Sequence, residues 1–206
     1  MKKEKGGAIL RELKHHAPFT LTASFAAGIL VAIFYLMGRV PSEELFEIMH
    51  PAHVLVSAIA TSAIYWKYNK SVWKSIFVGA IGAILVGSLS DVIFPFLAGN
   101  LFSLHTHFHL PIIEKPFLIL SVALFGAVLG MYGNLFRATH MLHVFLSIFA
   151  SLFYLLAFSI EMSFGAVMLV SGLVFLVVYI PCCISDIVFP LFFIKKPCVK
   201  CEHWHD

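Results

Sequence analysis

Apolar residues in this chain fall in long runs, not in short alternating stretches. The runs cover about 17–37, 47–66, 73–97, 116–136, 139–159 and 163–193. A bilayer's hydrocarbon core is about 30 Å thick, and a helix needs roughly 20 mostly apolar residues to cross it. Six such runs predict an all-α polytopic membrane protein with six transmembrane helices. The third and sixth runs are too long for a straight crossing. Each carries a proline near its end, so a kink, a tilt or an end outside the bilayer is expected there. The first run follows "MKKEKGGAILRELKHH". It is longer than a signal sequence's apolar core and no small-residue cleavage pattern follows, so it reads as an uncleaved first helix.

The polar positions that interrupt these runs recur in order. "HPAHVLVSAIA" (50–60) matches "HMLHVFLSIFA" (140–150) at both histidines, the valine, the serine and the last alanine. "SDVIFP" (90–95) matches "SDIVFP" (185–190), and "HAPF" (16–19) stands over "EKPF" (114–117). Each copy holds three helices, and three is odd, so the second copy enters the membrane from the opposite face. The expected architecture is two inverted three-helix repeats. It is similar to that of inverted-repeat transporters in general, whose binding sites lie near the repeat interface. The segments are then an N-terminal stretch 1–16, repeat 1 at 17–97, a histidine-containing loop 98–115, repeat 2 at 116–193 and a Cys/His tail 194–206. Small residues four apart (Gly79, Ala83 and Gly87, then Gly126 and Gly130) suit close helix packing.

Composition agrees with the pattern. The chain is 60% hydrophobic and 12% charged, with a mean hydropathy of +0.94, too apolar for a soluble domain of 206 residues. Charge then orients it. With the N-terminus inside, Lys2, Lys3, Lys5, Arg11, Lys14, Lys67, Lys70, Lys74, Arg137, Lys195, Lys196 and Lys200 face the cytoplasm, and only Arg39 and Lys115 face out. Both termini are expected to be cytoplasmic, in a plasma or inner membrane. The net charge of +3 is accounted for by topology and gives no reason to invoke nucleic acid. The bilayer is the expected partner, and association between copies is left open.

The candidate chemistry lies in the repeated polar positions. Residues i, i+3 and i+7 share a helix face. His50, His53 and Ser57 thus form one stripe at the outer start of the second helix, and His140, His143 and Ser147 form its counterpart at the inner start of the fifth. Ser90 and Asp91 return to the side of the first stripe, Ser185 and Asp186 to that of the second. Whether the two groups are separate sites or meet at midplane is open from sequence. Imidazole and carboxylate suit zinc or iron first, then manganese, cobalt or nickel. A carboxylate at a helix centre costs about 2.5–3.5 kcal/mol on insertion scales and calls for a partner. A cation or a protonated histidine supplies one, and the same groups can carry protons. His–Asp hydrogen bonds that merely join the repeats are the plainer alternative. In each copy the proline four residues after the aspartate leaves a backbone carbonyl without its helical donor.

Two accessory clusters lie outside the repeats: His105, His107 and His109 on the loop, with Glu114 nearby, and Cys198, Cys201, His203 and His205 in the tail. The leading expectation is a transporter of a divalent transition metal, proton-coupled if the histidines also carry protons. Alternatives are a membrane protein holding haem b for electron transfer, and a proton-coupled transporter of another substrate. An intramembrane hydrolase ranks below these, because no HExxH occurs and the two polar sets are equivalent; an enzyme is not expected.

Overall fold

The computed structural model describes residues 14, 18, 21–22, 25–26, 28–30, 32–34, 36–38, 42–132, 136–158, 165, 169, 172 and 188–194. Among the described residues every regular element is helical. α1 spans Glu43–Tyr68, α2 Val72–Ser88, α3 Phe94–Leu101, α4 Pro111–Glu114, α5 Pro116–Leu129, α6 Phe136–Phe158 and α7 Phe189–Phe192. A five-residue π turn, Leu89–Ile93, joins α2 to α3. Together these make one 30-residue helix, Val72–Leu101. It, Glu43–Tyr68 and Thr139–Phe158 are three helices long and apolar enough to cross a membrane. They correspond to the second, third and fifth runs. Eight of the 21 residues of the first run and most of the sixth lie outside the described residues.

The fourth run differs from expectation. Apolar character continues to 136, but α5 ends at Leu129. Its backbone tightens there: Met131 N–H donates to the Val128 carbonyl and Tyr132 N–H to that of Leu129, three-residue steps that close a helix. Fourteen residues reach about 21 Å at 1.5 Å each, short of a hydrocarbon core. The kink expected at the proline of the third run is also displaced. Pro95 sits at the start of α3, and the irregular backbone is the π turn before it.

α1 is the hub, with α6, α2 and α5 all packed on it. Its charges suit its ends: Glu43 and Glu44 lie in the first turn and Lys67 in the last, where each opposes the helix dipole. α1 and α6 run antiparallel. Phe46, near the start of α1, meets Tyr154 and Phe158 at the end of α6, while His53 meets His143 near the start of α6. α3 packs on α6, and α7 packs on α1 and α2. In the latter contact Leu191 and Ile194 cluster with Ile64 and Tyr65.

The glycines set how closely the helices approach. A Cβ on Gly126 would overlap the Leu55 carbonyl oxygen, and one on Gly130 would overlap the Ile59 carbonyl. α5 therefore lies backbone-to-backbone on α1, as the small-residue spacing implied. Gly126→Val will force these backbones apart at a cost of about 1–3 kcal/mol. Leu120→Ala, on the exposed side of α5, will cost under about 0.5 kcal/mol, as surface changes do. Thermal unfolding of the two variants in detergent checks this; equal midpoints would contradict the packing.

Candidate metal centre

The π turn points Asp91 into the middle of the helix bundle. A π turn inserts a residue into a helix and re-aims its side chains. Here it carries Ser90 and Asp91 against α1 and α6, and both are fully buried. The turn also settles which carbonyl the proline orphans. In an α-helix the donor for Asp91 would be residue 95. In a π turn the donor stands five residues on, so Pro95, with no N–H, deprives Ser90. Ser151 Oγ from α6 donates to that Ser90 carbonyl at 2.9 Å.

Asp91 gathers four donors. His50 Nδ1 and His53 Nδ1 lie 2.9 and 2.5 Å from the same oxygen, Oδ2. Ser90 Oγ and Ser147 Oγ lie 2.8 and 3.1 Å from the other, Oδ1. A carboxylate oxygen only accepts, so each imidazole presents Nδ1–H to it. In a neutral ring that leaves the lone pair on Nε2. The Nε2 atoms of His50 and His53 are buried and have no hydrogen-bond partner among the described residues.

Both halves of the chain contribute. The His53 and His143 rings stack with centroids 4.6 Å apart and planes 22° apart, and His140 stands edge-on to His143 at 6.2 Å. All four histidines are buried. The stripes placed at opposite ends from sequence therefore form one cluster. The reason is the antiparallel crossing: His53 is about 15 Å along α1 at 1.5 Å per residue, and His143 is about 10 Å along α6 from the other end. The stripes also extend further than the sequence match indicated. His50, His53, Ser57 and Thr61 make one stripe of α1, and His140, His143, Ser147 and Ser151 make one of α6; all eight are buried. Thr61 and Ser151 were missed because the match stopped at the preceding alanine; their shared hydroxyl was the signal.

Gly87 leaves room for the rings. A Cβ there would stand 3.1 Å from Val54 Cγ2 and 3.8 and 3.9 Å from Cε1 of His50 and His53. The glycine read as helix packing also walls the centre.

The other expected ligands divide. Ser185 and Asp186 lie outside the described residues, as do Cys198, Cys201, His203 and His205. His105 and His107 are exposed. His109 alone of the loop histidines enters a cluster: Nδ1 lies 2.8 Å from Glu114 Oε1 and Nε2 3.5 Å from Glu47 Oε1. Lys115 Nζ pairs with Glu47 Oε2. Glu47 went unnoticed in the sequence, although it stands three residues before His50 on the same helix face.

Replacing Asp91 separates shape from charge. Asp91→Leu strands four buried donors and will destabilise the protein by about 3–5 kcal/mol. Asp91→Asn will fold with a smaller loss, because its carbonyl still accepts from both imidazoles and the two hydroxyls can turn to accept from its amide. Denaturation midpoints in detergent test the order, and an asparagine variant no better than the leucine variant would contradict the arrangement. In comparisons with known proteins, no family model, curated protein or solved structure matches the chain.

Proposed function

We propose that the chain is a small transporter that moves a divalent transition-metal ion across a membrane. Zinc and iron head the candidates, with manganese, cobalt and nickel served by the same donors. The observation that carries this reading is the pair of buried imidazoles, His50 and His53, aligned through Nδ1 by one carboxylate and without an Nε2 partner among the described residues. A carboxylate behind an imidazole fixes the ring and raises its basicity, the arrangement that recurs behind metal-bound histidine. The contacts also bear on the role of Asp91. Two donors of a tetrahedral zinc ion at about 2.0–2.1 Å stand about 3.3 Å apart. The Nδ1–Oδ2 distances of 2.9 and 2.5 Å are hydrogen bonds, too short to enclose an ion. Asp91 thus orients the rings in this state and leaves Nε2 of each ring as the donor for an ion. A doubly protonated ring would give up its Nε2 proton as a metal takes that lone pair, which couples metal movement to proton movement.

Transport, as opposed to fixed storage, is supported by how the halves meet. The α1 and α6 stripes match, the helices run antiparallel, and α3 lies on α6 while α7 lies on α1. These relations fit two inverted repeats with one centre between them. Rocking one half against the other then exposes that centre to each side in turn. The lysine and arginine distribution puts both termini in the cytoplasm, and six spans in a plasma or inner membrane complete this reading. The haem alternative draws nothing from the site, since the stacked His53 and His143 rings leave no gap for a porphyrin.

Proteoliposomes test the reading. Wild type will take up zinc, iron(II) or manganese. His53→Ala and His143→Ala will cut both the uptake rate and the metal bound to purified protein at least tenfold, while Asp91→Asn weakens metal binding about 10–100-fold, as loss of a partner behind a ligand does. Equal metal content and uptake in wild type and both alanine variants would overturn the proposal, and a Soret band in the purified protein would replace it with haem.

A further inference from the structure

Glu47, His109 and Glu114 come from three different segments: α1, the loop after α3, and α4. One donor atom from each lies within 4.8 Å of the others. The His109 side chain is 15% exposed, and its ring lies flat on Phe158, centroids 4.8 Å apart and planes 17° apart. The backbone behind it is pinned as well. His107 N–H donates to the Phe158 carbonyl at 3.0 Å, and Tyr154 Oη donates to the His107 carbonyl at 2.7 Å. Pro51 has no N–H, so the Glu47 carbonyl lacks its helical donor. Glu43 and Glu44 stand exposed one turn away, and Lys115 pairs with Glu47.

The buried ring of Phe46 touches a histidine of each cluster. Phe46 is stacked on His50 at 5.7 Å and meets His109 edge-on at 5.9 Å. Tyr154 and Phe158 pack against its sides.

We infer that Glu47, His109 and Glu114 form a second divalent-cation site, in series with the central histidine cluster and partitioned from it by Phe46. Two carboxylates and one imidazole suit the same borderline metals as the central cluster, with a harder, more weakly selective donor set. Lys115 neutralises Glu47 when no ion is held, and an arriving dication displaces it. The site rests on the transport reading for its purpose but not for its existence, which metal binding alone can establish.

The test is cobalt(II) titration of the full chain in detergent, read by bound equivalents and by visible absorption. His109→Ala/Glu114→Gln will lose one equivalent relative to wild type, and His53→Ala will lose a different one with a different spectrum. Size-exclusion profiles confirm that each variant is folded. Loss in His53→Ala with none in the double variant overturns the second site and leaves the central one standing. Loss in the double variant alone supports the second site and removes the central one. No loss in either overturns both. Phe46→Ala will keep both equivalents and speed exchange between them, seen as faster release of centrally bound cobalt to an added chelator. An unchanged release rate overturns the partition.

Discussion

A carboxylate buried without solvent holds the centre of this molecule together. Asp91 accepts from four side chains on three elements: α1, the π turn and α6. Its insertion cost of about 2.5–3.5 kcal/mol is offset by hydrogen bonds to a charged acceptor, worth about 1.5–3 kcal/mol each. Such a balance is favourable only while all the donors are in place. The helices that carry them must therefore cross at one depth and in one register. The glycine contacts that draw α5 onto α1, and the Gly87 gap beside the rings, serve that requirement.

The π turn belongs to the same constraint. An uninterrupted α-helix through residues 72–101 would have to present Asp91 in its regular rotation. The inserted residue re-aims the aspartate and moves the proline's orphaned carbonyl to Ser90, where Ser151 can reach it. One defect thus creates a need and the facing helix meets it. The serine that meets it belongs to the same stripe as His143 and Ser147, so contacts between the halves run for about two turns of α6.

The centre was half legible in the sequence, and the boundary has physical reasons. His50, His53 and Asp91 could be brought to one side of the membrane from helix periodicity and topology, because both are local rules applied to long, regular helices. The meeting of His53 with His143 depends on where two helices cross, which periodicity does not encode. Ser151 was hidden because a hydroxyl on an apolar helix carries no charge cost to draw notice. Glu47 was hidden among the acidic residues that suit any helix start. The short α5 was misread because its apolar run continues past the turn at Gly130, and composition alone does not report backbone closure. The three helices long enough to span a membrane were plain from length and apolarity.

The duplication has a consequence for how such a centre can work. When two antiparallel helices carry the same stripe and cross near their midpoints, matching residues meet each other across the crossing point. His53 and His143 are such a matching pair. A centre built on that contact is shared by both halves. Asp91 holds the α1 rings from one side. Ser147 and Ser151 reach across from α6 to Asp91 and to the Ser90 carbonyl, so the hydrogen bonds that fix the aspartate behind the α1 rings also tie the two halves to each other.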